Sequence, residues 1–230
     1  MNITLNPKEI FKKKLYLILF LLLANTLGVI STHYFNHPSV YGLVPLFDFN
    51  NEANIPTLYS SMALVVASLL LFTIAFSYKK RKLSYLSWFG LAIIFLFLSI
   101  DEISSIHERF ALPTKEALGT SGYYAWVIPY GAALVAFVLV YIKFLMALPR
   151  KIMILFLISG SIYVSAVIGF EVLGSMHNEA YGTNNITYAL LTTCEEFLEM
   201  FGIALFVYTL LTYMVEQFES TSIVVVKQNL

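Results

Sequence analysis

The sequence predicts an all-α polytopic membrane protein, a six-helix transmembrane bundle with both termini cytoplasmic. Three observations carry that prediction. The chain of 230 residues is 59% hydrophobic and only 12% charged, about half the charge of an ordinary soluble domain. Six stretches reach or approach the roughly 20 apolar residues that a bilayer crossing needs. The basic residues gather at alternate ends of those stretches, as the preference of Lys and Arg for cytoplasmic loops requires.

The first span, about 15–34, follows the basic start Lys8, Lys12, Lys13 and Lys14. A basic start before a short apolar core also describes a cleaved secretory signal, so both readings stand at this point. The second span, 57–77, opens just after Pro56, whose missing N–H leaves no helical bond unmade at a first turn. The third, 86–108, ends in "FLFLSIDEISSIHERF", and the fourth, 123–148, begins with Tyr123, Tyr124, Trp126 and Tyr130, which read as an interfacial aromatic belt. The fifth, 152–174, contains "VIGFEVLGSMH", and the sixth, 187–214, contains "TCEEFLEM". Residues 1–214 therefore form one transmembrane domain. Residues 215–230 form a short cytoplasmic tail, in which the run Ser222 to Val226 carries no signal of its own.

Twelve of the fourteen Lys and Arg residues fall on one side of this topology: Lys8, Lys12, Lys13, Lys14, Lys79, Lys80, Arg81, Lys82, Lys143, Arg150, Lys151 and Lys227. Only Arg109 and Lys115 lie opposite. The loops near 35–56, 109–122 and 175–186 then face outward, in a chain of the inner or cytoplasmic membrane. Zero formal net charge argues against a nucleic-acid partner. The one cysteine, Cys194, forms no internal disulfide. The partners expected are the bilayer itself and a lipid or other membrane-borne substrate.

The acids divide the other way, and several lie inside spans. Asp101 and Glu102 sit near the outer end of the third span, Glu171 near that of the fifth, and Glu195, Glu196 and Glu199 in the outer half of the sixth. At 1.5 Å per residue these six fall within one or two helical turns of each other in height. At about 100° per residue, Asp101, Ser104, Ser105 and Glu108 share one face of the third helix, with Glu102 and His107 on its flanks. On the sixth, Tyr188, Thr192, Glu195, Glu196, Glu199 and Gly202 fall within about a third of the circumference. A charge at the bilayer centre costs roughly 2.5–3.5 kcal/mol on insertion scales. Something must offset it: shared protons in a hydrogen-bonded packing network, a transported cation, or a bound metal ion.

The metal reading assigns Asp101, Glu102, His107, Glu171, Glu195 and Glu199 as ligands and Glu196 or Glu108 as a general base for metal-bound water. Mixed carboxylate and imidazole ligation suits Zn, Mn or Fe better than Mg or Ca. The paired Glu-x-x-His signature of di-iron bundles and the zincin motif are both absent. His177 and Glu179 stand where they cap the site or meet solvent, His33 and His37 read as interfacial, and Asp48, Glu52 and Asn54 read as an outer lid or a second oxygen-rich site.

The combination "LFDFNNEANIPTLYSS", "FLSIDEISSIHERF", "AWVIPYGA" and "EEFLEMFG" resembles a group of bacterial six-span membrane proteins of uncharacterised activity. A fainter resemblance, carried by Asp48, Glu52, Asn54, Ser60 and Asp101, is to the alkaline ceramidase group of membrane metal hydrolases. That group's closing pair of histidines has no counterpart, because the last span offers Glu195 and Glu199 instead. The functional expectation is a metal-dependent membrane enzyme, a hydrolase or an oxidoreductase, acting on a lipid-like substrate. Its alternatives are a proton or divalent-cation transporter and a non-catalytic membrane assembly subunit.

Overall fold

Three of the long helices begin at an asparagine whose side-chain oxygen satisfies backbone N–H groups that the first turn leaves unpaired. Asn6 accepts from Lys8 and Glu9 ahead of α1, Pro7–Phe35. Asn54 accepts from Thr57 ahead of α3, Ile55–Lys80, and Asn185 from Tyr188 ahead of α10, Ile186–Gln217. Proline follows the cap in the first two, where its missing donor is harmless. The computed structural model describes residues 2–4, 6–119, 123–218 and 222–224. Residues 120–122 of the second outward loop, the side chains of Tyr123 and Tyr124, and the tail beyond Val224 with Lys227 lie outside the described residues.

Among the described residues, six helices are long and apolar enough to cross a membrane. Besides α1, α3 and α10 they are α4, Leu86–Ser104, α7, Val127–Met146, and the segment Arg150–Tyr181. Short helices α2, Leu43–Phe47, α5, Ile106–Arg109, and α6, Ala111–Leu118, fill the connections. A two-stranded ribbon, β1 (Asn2–Thr4) against β2 (Ser222–Val224), brings the two ends of the chain together. The two strands therefore share one end of the bundle, and the acids lie toward the distal end.

The fifth crossing is continuous only in outline. It runs as α8, Arg150–Val164, then a π-helical turn over Ser165–Phe170, then α9, Glu171–Tyr181. A π turn inserts extra backbone into the helical repeat, and such insertions concentrate at functional sites. Here it lies immediately before Glu171. The helix also passes the expected end at residue 174, which puts His177 and Glu179 on α9 rather than in a loop.

The last helix is the hub: α10 packs against α1, α3 and α8, and from Gly202 to Met214 nearly every residue is buried. At Gly202 the α8 backbone comes so close that a Cβ there would stand 3.0 Å from Tyr163 N and 3.2 Å from Ser159 O. Small residues permit this kind of approach between membrane helices. Helices α3 and α4 form the other close pair, joined by reciprocal bonds in which Ser61 Oγ donates to Ser99 O (2.9 Å) and Ser99 Oγ to Ser61 O (3.0 Å), and by Ser68 Oγ to Ala92 O (2.7 Å). The half of the bundle nearer the termini is a continuous apolar core, including Leu71, Ile74, Phe156, Val207 and Leu210, with Phe95 stacked on Phe206 at 4.5 Å.

The first helix belongs to this packing. Ile18, Leu21, Asn25 and Gly28 are its buried positions. Asn25 ties three elements together, because its Nδ2 donates to Thr193 Oγ1 on α10 at 2.9 Å and its Oδ1 accepts from Phe49 N, after α2, at 2.9 Å.

Candidate metal centre

The third crossing does not run unbroken to residue 108. Ser105 takes up φ 47°, ψ 44°, a left-handed conformation that residues other than glycine seldom adopt. Asp101 explains the break: its Oδ1 accepts from the backbone N of His107 at 2.8 Å, capping the next turn with a side chain from the previous one. The chain restarts as α5, re-aimed. The shared face expected for Asp101, Ser104, Ser105 and Glu108 therefore does not exist as one continuous stripe, and Glu108 is carried to the rim.

The same Asp101 holds the His107 ring. Its Oδ2 lies 3.3 Å from His107 Nδ1, and Tyr130 Oη donates to Oδ1 at 3.2 Å. With Nδ1 directed to a carboxylate, Nε2 makes no hydrogen bond among the described residues. Orienting a ligating imidazole through its other nitrogen is the common outer-shell arrangement of protein metal sites. The ring lies 4.7 Å from that of Trp126 and 6.2 Å from that of Tyr130, so an aromatic wall fixes its plane. Trp126 and Tyr130, expected in a lipid-facing belt, line this site instead.

Against His107 the turn also brings Glu52, from the loop before α3. Ser105 Oγ hydrogen-bonds Glu52 Oε2, so the kinked residue itself fastens the incoming loop. Glu52, His107 and Glu108 each offer a ligand atom, and these atoms lie within 4.8 Å of one another. Among the described residues no other three of the His, Cys, Asp and Glu side chains converge so closely. His107 is half-buried while the two glutamates are exposed, so the group opens to the distal surface.

The other expected ligands are near but do not join this point. Glu102 is in electrostatic contact with His107, Glu52 and Asp101, and behind it come Glu196, then Glu199. Glu195 lies in the field of Glu171, whose Oε1 accepts from Trp126 Nε1 (3.3 Å) and Ser175 Oγ (3.2 Å). Burial deepens along this file of acids, from exposed Glu52 and Glu108 through half-buried Glu102, Glu195 and Glu196 to buried Glu199. Arg109 forms no ion pair with them among the described residues. His177 contacts Asn185 Oδ1 at 2.8 Å in the cap of α10, and so buttresses the helix entry.

Burial pulls the His107 imidazole down, but the Asp101 hydrogen bond and charge, with Glu108 and Glu52, outweigh it and leave the ring above its ordinary value of 6.5. Burial and the Glu108 and Asp101 charges push Glu52 up, against a smaller pull from His107. Both shifts act in one direction. The raised imidazole contributes stability that is fully present below the unfolded histidine value and lost as pH rises through the folded one; ionising Glu52 also weakens the fold as pH rises. In metal-free protein the unfolding temperature should therefore fall as pH is raised through and above 6.5, and a His107→Gln chain should show a shallower profile across that range.

Residues 15–213 match the family described as Domain of unknown function (DUF8692). The chain belongs to that family. No curated protein and no solved structure matches it.

Proposed function

We propose that this DUF8692 member is a membrane-embedded, metal-dependent enzyme that works from the distal side of the bilayer on a lipid-like substrate. One observation carries the reading: Glu52, His107 and Glu108 converge within 4.8 Å around an imidazole already oriented by Asp101. Two carboxylates and one imidazole are a ligand set for Zn, Mn or Fe(II), with positions left open for water and substrate. A metal held there would acidify bound water and polarise a carbonyl or phosphoryl oxygen. Glu102, half-buried and in the electrostatic field of His107 and Glu52, is an acid able to take or return a proton, with Glu196 in its field in turn.

The file of acids favours this one-sided reading over conduction. It ends at Glu199, and the terminal-side half of the bundle below it is closed by the apolar core around Phe95, Phe156 and Phe206. The hydroxyls of Thr209 and Thr212 in that half are bonded to carbonyls of their own helix at 2.8 Å. On positive-inside grounds the distal side is extracytoplasmic.

Calorimetric titration of chelator-stripped protein with Zn(II), Mn(II) and Fe(II) tests the proposal. One site should bind at least one of these ions. Asp101→Asn keeps the volume but weakens the grip on Nδ1, and should lower affinity about 10–100-fold, the usual effect of losing an outer-shell partner. Unchanged affinity in that variant would remove Asp101 from the site.

A further inference from the structure

A second polar feature lies apart from the Glu52–His107–Glu108 group. Between the distal end of α1, the segment after α2 and the entry to α10 is a cavity of about 210 Å³. Thr32, His33, Asp48, Asn50, Thr183 and Asn184 contribute to its lining. No Lys or Arg lines it, so an anionic headgroup would find no counter-charge there. Amides, hydroxyls and one carboxylate are donors and acceptors matched to hydroxyl groups.

The lining is built, yet its hydrogen-bonding capacity is not used up. Asp48 is held in place by Asn50 N at Oδ1 (3.0 Å) and Asn51 Nδ2 at Oδ2 (3.0 Å), which leaves further lone pairs on a carboxylate that accepts about four bonds. The side chains of Thr32, Thr183 and Asn184 make no hydrogen bond within the described residues. Gly28 keeps the wall open where a Cβ would press on Val44 at 3.3 Å. The cavity lies at the height of the helix ends, where lipid headgroups reside, and residues next to its lining, Leu27 at 58% and Leu190 at 54% exposure, face outward along α1 and α10. Such a site presents a polar socket above an apolar flank.

We propose that this cavity is a binding pocket for an uncharged, hydroxyl-rich group, a sugar or polyol headgroup whose apolar tail lies along α1 and α10. The inference rests on the membrane-enzyme reading only for its use, as the place where the polar end of the substrate is held. Tyr188 also lines the cavity.

The test is retention of lipids by the full chain in phosphatidylcholine nanodiscs, read by native mass spectrometry with a chelator present, so that failure of the pocket and failure of the metal site are separate results. The probes are a monoglycosyl diacylglycerol, phosphatidylglycerol, diacylglycerol and free methyl glucoside. The glycolipid should be retained about tenfold over both phosphatidylglycerol and diacylglycerol, and Thr32→Val with Asn184→Ala should remove about that factor, two hydrogen bonds' worth, without shifting the unfolding temperature. If the double variant does not fold, Thr32→Val alone carries the comparison with a correspondingly smaller loss. Methyl glucoside binding as well as the glycolipid supports the pocket chemistry and makes a soluble sugar its source. Equal retention of phosphatidylglycerol, or full retention by the folded variant, overturns the proposal.

Discussion

His107→Ala should lower divalent-metal affinity by more than about a hundredfold, exceeding the loss expected from Asp101→Asn, because it removes a ligand rather than the group that orients one. The reasoning is local. His107 supplies the only nitrogen in the converging group, and without it Glu52 and Glu108, both exposed, would be left to bind an ion with carboxylate oxygens alone. The expected selectivity changes too: with oxygen ligands alone, preference for Zn over Mg should shrink. Because His107 also donates to Asp101 and packs its ring at a tilt against Trp126, His107→Gln serves as a second variant that retains polar volume. Competition titration against a chromophoric chelator measures both.

The second large effect concerns the scaffold. Gly202→Leu should abolish recovery of folded protein, and Gly202→Ala should destabilise it by about 1–3 kcal/mol, the usual cost of overpacking. A Cβ at Gly202 meets Tyr163 N at 3.0 Å, Tyr163 Cβ at 3.1 Å and Ser159 O at 3.2 Å. Two of those three are backbone atoms of α8, which cannot turn aside as a side-chain tip can. Either the helices part, which exposes the contact of α10 with α8, or α8 shifts and disturbs the π turn ahead of Glu171. Gly160→Ala is the internal control: nothing lies within 4 Å of a Cβ there, so it should be neutral or stabilise by up to about 1 kcal/mol through helix propensity. Unfolding in a denaturing detergent titration separates the two. Gly160→Ala as damaging as Gly202→Ala would show that close packing is not the cause.

The spans were legible because hydropathy and the roughly 20-residue crossing length are strong signals: four of the six expected stretches agree at both ends within four residues with helices that form, while the first helix begins earlier, at Pro7, and the fifth crossing runs on to Tyr181. The third was misjudged at its end. "DEISSIHERF" reads as helix by propensity, and the break at Ser105 comes from one tertiary choice: Asp101 bonding forward to the His107 backbone rather than facing outward. Periodicity assigns faces only while the helix is continuous, so it placed Glu108 beside Asp101 and left Glu52 among lid residues. In the structure Glu52 meets His107 because Ser105 fastens the loop. Trp126 and Tyr130 were misread for a related reason, since a belt aromatic and a wall aromatic look alike until the neighbouring helix is placed. The π turn over Ser165–Phe170 also leaves no clear mark in sequence, because its apolar run fits an α-helix equally well. The rough depth of the acids, by contrast, follows from residue rise alone.

The central claim is that the metal lies at the rim, on Glu52, His107 and Glu108, and not among the deeper acids. Elemental analysis of gently purified protein tests it by comparing wild type with two double variants, Glu52→Gln with Glu108→Gln and Glu195→Gln with Glu199→Gln. The account predicts a near-stoichiometric divalent ion in wild type, trace amounts in the first variant, and retention in the second. Absence of metal from wild type, or loss in the second variant with retention in the first, would contradict it.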